Sequence, residues 1–185
     1  MGSTRYVALL RGINVGGRNK ISMADLRAVF TDAGFIDVAT YIQSGNVVFA
    51  TDKPRASLET DIETLLQRCL ESLPVVVVRS HRQLRNLVHD APDDFIERAD
   101  GYYRDVVFLK DPLTSDSAMR VVQLRDGVDE VWQGPGVLYF SRVSAERTKS
   151  RMSRIVGTPE YRLMTIRSWA TTTKLLALLD AVRAG

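Results

Sequence analysis

Residues 6–25, YVALLRGINVGGRNKISMAD, decide the fold. The first five are continuously apolar with no alternation, the pattern of a strand buried on both faces. A basic, glycine-rich loop follows. Ser22, with Asp25 three positions on, then opens a helix, because hydroxyl and carboxylate can satisfy backbone donors that the first turn leaves free. Met23, Leu26, Val29 and Phe30 recur at helical spacing, and Gly34 closes the helix.

Moving outward, residues 38–43 and 46–50 flank Ser44-Gly45, which predicts a hairpin with a two-residue turn. Pro54 opens a second helix with an apolar stripe of Leu58, Ile62, Leu65, Leu66, Cys69 and Leu73. Pro74 ends it, and residues 75–78 form another buried strand. The order is β-α-β-β-α-β, the ferredoxin-like pattern. A helix from Ser80 to about His89 follows, with Leu84, Leu87 and Val88 inward, and an acidic segment runs to Gly101.

The order then starts again. A strand is expected over residues 105–109, a helix over 115–124, and hairpin strands over 130–133 and 137–142 about Gly134-Pro135-Gly136. A basic helix over 144–157 and a short strand over 161–166 complete it. A last helix is expected over 168–183, with Leu175, Leu176, Leu179 and Val182 inward. The fold class is therefore α+β: two ferredoxin-like halves plus a linker helix and a C-terminal helix. The expected domains are residues 1–79, a linker at 80–101, and 102–185. The halves share architecture, not residue identity.

Composition sets bounds on function. The 45% apolar and 25% charged fractions of the 185 residues are those of an ordinary globular protein. No run approaches a membrane span, the N-terminus has no apolar signal core, and one cysteine excludes an internal disulfide. A cytoplasmic monomer with no membrane partner is expected. The net charge of +3 is uneven: residues 1–80 hold 9 basic against 8 acidic groups, 81–142 hold 8 against 11, and 143–185 hold 8 against 3. A solvated basic face accounts for the last excess, as does a polyanionic partner.

The topology also predicts a site. In a ferredoxin-like half, strand one lies beside strand three, so the loop after Arg11 converges with the turn at residues 43–46. Arg11, Asn14, Arg18 and Lys20 then face Gln43, Ser44 and Asn46 at one sheet edge. Gly16 and Gly17 allow close backbone approach, and the helix after Ser22 adds its dipole. A phosphate or carboxylate fits such a set, and so does a loop shaped by glycines for packing alone. The glycine spacing matches neither nucleotide-binding fingerprint.

Other chemistries find little support. His81 and His89 do not share the spacing of a helical metal site, and no metal or cofactor is assigned. Cys69 falls in an apolar stripe and reads as core. Ser44 is in no nucleophile elbow. Trp169 beside Arg167 reads as packing or as a stacking platform, with Thr171 and Lys174 completing a second candidate set. Arg147, Arg151 and Arg154 would share one face of the basic helix as a phosphate-contacting stripe. Strand 46–50 is no RNA-binding motif, so a nucleic-acid site would use loops and helices.

The motifs LLRGINVGG (9–17), MADLR (23–27) and YIQSGNVVF (41–49), with TIRSWATTTKLL (165–176), resemble domain-of-unknown-function family 1697. In the family pattern TxRNWNTVTKLL, asparagines stand where this chain has Ser168 and Ala170. If those amides bind a ligand, two contacts are lost; if they cap the helix, Ser168 still serves. The resemblance implies ferredoxin-like halves in a bacterial, cytoplasmic protein and no established activity. The expected function is binding of a phosphate-bearing small molecule or nucleic acid. A small-molecule enzyme using the same cleft, or a non-catalytic partner-binding protein, is the alternative.

Overall fold

The computed structural model describes residues 3–98 and 100–181. Val182 and Arg183, expected in the last helix, lie outside the described residues. Strands β1 (Thr4–Arg11), β2 (Ile36–Tyr41), β3 (Asn46–Thr51) and β4 (Val75–Ser80) form one antiparallel sheet in the order β2-β3-β1-β4. Helices α1 (Met23–Asp32) and α2 (Arg55–Leu66) connect them as the ferredoxin-like pattern requires.

Helices α3 (His81–His89) and α4 (Asp93–Glu97) come next. The second sheet holds β5 (Tyr102–Leu109), β6 (Asp129–Gly134), β7 (Val137–Val143) and β8 (Met164–Ser168), in the order β6-β7-β5-β8. Short α5 (Ser115–Met119) follows β5, and α6 (Trp169–Ala181) follows β8. The chain thus has two repeated α+β halves and a C-terminal helix. It divides into two compact units: the chain up to Arg85 with the part from Lys174 onward, and Asn86–Thr173.

In the first unit, Tyr6, Ala8 and Leu10 of β1 pack with Leu26 and Phe30 of α1 and with Leu58, Ile62 and Leu66 of α2. Val7 and Leu9, which point to the opposite sheet face, are buried as well. That is why β1 shows no alternation. Tyr6 pairs with Phe49 across β1 and β3, and the rings stack at 5.8 Å. Burying each such side chain stabilises by roughly 1.5–3 kcal/mol. Helix α1 begins as expected: Ser22 Oγ accepts from Asp25 N at 3.0 Å and donates to Asp25 Oδ2 at 2.6 Å. Helix α3 has a reciprocal cap, with Gln83 N donating to Ser80 Oγ at 3.2 Å and Ser80 N to Gln83 Oε1 at 2.9 Å.

The structure departs from expectation in four elements. The β2–β3 connection is four residues, 42–45, with Ile42 at φ 50°, not a two-residue turn. Helix α2 stops at Leu66: Leu70 enters the core, while Cys69 and Leu73 are exposed. The physical cause lies six residues on, where the buried side chain of Asn19 holds the backbone of Ser72 and draws the chain off the helix axis. Helix α5 is also shorter than expected, ending at Met119.

The basic helix over 144–157 is absent. In its place are 3-10 turns at Ser144–Lys149 and Met152–Gly157, with a third at Pro159–Leu163. The break is at Ser150, whose backbone is extended, and Asp129 Oδ2 holds it by accepting from Arg151 N at 2.8 Å. Met152 and Ile155 still pack with Val107, Leu138 and Phe140, so the segment covers its sheet face without being a regular helix.

Candidate functional site

The loop between β1 and α1 is built by two asparagines. Asn14, at φ 53°, receives Ile21 N on Oδ1 at 2.9 Å and donates from Nδ2 to Ile21 O at 3.0 Å. Its backbone N–H reaches Asn19 O at 3.0 Å, and Arg18 N reaches Val15 O at 3.1 Å, closing a small inner turn with Gly16 and Gly17 at its tip. Asn19, at φ 49° and buried, lies within 2.7 Å of Gly12 O and 2.9 Å of Ser72 O through Nδ2, and accepts from Ser72 N at 2.9 Å. Asparagine is among the few side chains that accept this left-handed backbone.

The neighbouring turn is fastened in the same way. Asn46 is fully buried and donates to Tyr41 O and Ser44 Oγ, both at 3.0 Å. Gly45 O accepts from Leu10 N at 2.8 Å. Gly45 has φ 81°, and a Cβ there would come within 2.7 Å of Ile13 Cδ1 and 2.9 Å of Leu10 Cβ. Asn14 Nδ2 also approaches Gln43 O at 3.4 Å, which joins the two loops.

Together they wall an open cleft of about 510 Å³ at the start of α1, lined by Asn14, Gly17, Lys20, Ile21, Ser22, Met23 and Gln43. Of the first candidate set, Asn14, Lys20 and Gln43 line it. Arg18 and Ser44 are exposed outside that lining, Arg11 is half-buried, and the Asn46 side chain is spent on the turn. Lys20 is exposed and has no ion-pair partner among the described residues. Two lining features were missed in the sequence, the apolar floor of Ile21 and Met23. Asn19 was missed too, and no local signal marks it, since its partner Ser72 is 53 positions away.

The second candidate set divides between the two units. Arg167, Trp169 and Thr171 belong to the second compact unit and Lys174 to the first. Arg167 is buried and donates to Ile166 O at 2.8 Å and Thr165 Oγ1 at 3.1 Å; burial pushes its guanidinium down to about 10, against the opposing charge of Tyr161. Trp169 meets Phe95 edge to face at 5.2 Å and is half-buried as packing. Thr171 is part of the α6 cap: its N–H donates to Ser168 Oγ at 3.1 Å, and that hydroxyl donates to Thr171 Oγ1 at 3.0 Å. Ser168 therefore caps where the family pattern has asparagine.

The arginine stripe is likewise dispersed. Arg154 donates to Gln123 Oε1 at 2.8 Å and Arg151 to Leu124 O at 3.2 Å, while Lys149 pairs with Glu146 at 2.6 Å. Cys69 is exposed, not core; partial burial nevertheless pushes its thiol up, opposed by its backbone, and Sγ donates to Leu66 O at 3.3 Å. His81 is buried between Arg5 and Asp180, with Nε2 at 2.5 Å from Asp180 Oδ1. No group of three His, Cys, Asp or Glu able to hold a metal occurs among the described residues.

The sequence profile of the family described as protein of unknown function (DUF1697) matches residues 3–139. The chain belongs to this family. Its fold is shared with a solved structure of the conserved bacterial protein SP0830 from Streptococcus pneumoniae, at 28% identity and a TM-score of 0.82 over 96% of this chain and 99% of that one. A stretch of elongation factor Ts from Prosthecochloris aestuarii is 32% identical over 124 residues, covering 55% of this chain and 42% of the factor. The chain thus spans less than half the length of that relative. The DUF1697 match takes in both loops that wall the cleft.

Proposed function

We propose that this DUF1697 protein binds a small molecule bearing a phosphate or carboxylate in the cleft at the start of α1. One observation carries the reading: two loops distant in sequence are stitched by Asn14 into a cleft that holds an unpaired lysine, Lys20, over an apolar floor. The start of α1 adds the positive end of its dipole, and Gly17 lets a ligand approach the backbone. The apolar floor favours a ligand with a hydrophobic portion beside its charge.

A small molecule is favoured over nucleic acid. Arg151 and Arg154 are engaged with Leu124 O and Gln123 Oε1, and Trp169 with Phe95, so neither group supplies an extended stacking or phosphate track. Binding is favoured over catalysis, because the hydroxyl lining the cleft, Ser22, is held by Asp25 as a helix cap. A non-catalytic partner-binding role is the second reading, favoured by the match to part of an elongation factor.

The deciding experiment is a thermal-shift screen of nucleotides and phosphorylated or carboxylated metabolites. A binder at about 100 times its Kd stabilises by roughly 2.7 kcal/mol. The shift is expected to vanish in Lys20→Ala and to weaken in Gln43→Ala. A screen in which nothing raises the melting temperature, or a shift that survives both substitutions, removes the reading.

A further inference from the structure

Three exposed aliphatic side chains gather at the sheet end where the cleft opens. Val15, in the β1–α1 loop, is 66% exposed; Ile42, between β2 and β3, is 48%; Leu73, before β4, is 56%. Among this unit's described residues, Ile36 is the only other exposed large apolar side chain. Each of the three stands one residue from a hydrogen bond that joins loops. Val15 follows Asn14, which reaches Gln43 O beside Ile42, and Leu73 follows Ser72, which is bonded to Asn19.

Single apolar residues on a surface are ordinary, but three on loops fastened to one another form a presented group. The fastening matters energetically: loops whose backbone is already held by side-chain amides lose little further freedom on contact. The β1–α1 loop at this end is basic, whereas Glu71 stands two positions before Leu73. Residues 11–22 carry Arg11, Arg18 and Lys20 and no carboxylate.

We propose that this end of the first unit docks on an anionic lipid surface, with Val15, Ile42 and Leu73 entering the interface and the loop cations meeting the headgroups. Exposed aliphatic tips beside a basic loop match such a surface, where buried apolar area and electrostatic attraction add and the lipid adapts its shape. Protein hot spots are instead rich in Trp, Tyr and Arg seated in formed pockets. No helix of the described residues is long and apolar enough to cross a membrane, so the contact is peripheral. Surface docking departs from the expectation of no membrane partner, which rested on the absence of a spanning run. This docking does not depend on the cleft binding a soluble ligand.

The test is co-sedimentation of the full chain with phosphatidylglycerol-containing vesicles, against vesicles of phosphatidylcholine alone. The protein is expected to sediment with the anionic vesicles at low salt and to be released by salt. The triple variant Val15→Ser, Ile42→Ser, Leu73→Ser should stay in the supernatant with an unchanged melting temperature, because the side chains it alters face solvent. Arg18→Glu, outside the cleft lining, should lower the partition about tenfold or more. Absence of wild-type sedimentation, or triple-variant sedimentation equal to wild type, overturns the proposal. So does retention on an immobilised acidic polypeptide without vesicle binding, which would assign the surface to a protein partner.

Discussion

Asn19 shows how much one side chain can organise. Its amide bonds to Gly12 and Ser72 while its backbone sits at φ 49°, so it fixes the first loop, the end of α2 and the approach to β4 together. Asn19→Ala is expected to cost about 2–4 kcal/mol in chemical denaturation, since it strands buried backbone groups and adds backbone strain. Asn19→Gly should recover only the backbone part. Glycines in the same region separate by space: Gly45→Ala forces a Cβ to within 2.7 Å of Ile13 and should cost more than about 2 kcal/mol. Gly16→Ala meets no atom within 4 Å and should cost about 1 kcal/mol from its positive φ alone. In the second unit, the Tyr139 hydroxyl donates to Leu87 O at 2.7 Å, and burial, aided by Asp90, pushes its pKa up to about 12. A pKa raised on folding gives stability that is complete below the unfolded value of 10.0 and lost as pH climbs through about 12. Absorbance titration should show a late phenol that disappears in Tyr139→Phe, and that variant should lose about 1–2 kcal/mol at neutral pH.

At the scale of elements, legibility followed the range of the interactions involved. Helix α1 could be read because its determinants are local: a Ser22–Asp25 cap, Leu26 and Phe30 on one face, Gly34 after the end. Ser22→Ala should therefore destabilise by about 1 kcal/mol, measured by thermal or denaturant melting. Strand β1 could be read because burial on both faces removes alternation. Helix α2 ran too long in the sequence because its terminator is Asn19, not a residue of its own. The segment after β7 has helical composition and basic periodicity, yet Asp129 binds the amide of Arg151 and holds an extended break at Ser150. Propensity is a weak prior wherever a tertiary hydrogen bond competes for the same backbone group.

At the scale of the whole molecule, the first unit is assembled from both ends of the chain. Arg5 of β1 donates to Leu179 O of α6, and His81 joins Arg5 to Asp180. Leu175 and Leu179 are fully buried, so Leu179→Ala should cost about 2–5 kcal/mol in denaturation even though it lies near the end of the sequence. The sequence by itself determined the two repeated α+β halves, the buried strands and the convergence of the 12–22 loop with the 42–45 turn. Those follow from hydrophobic period, cap residues and pairing order, which are written locally. Only the tertiary structure decided what the loop residues do. Asn14 and Asn46 stood among candidate ligand contacts, and the fold uses their amides as fasteners. Lys20 is left facing the cleft and Val15, Ile42 and Leu73 facing solvent. The reason is that an amide side chain satisfies a backbone group or a ligand equally well. Which one it meets depends on the distance to groups far away in sequence.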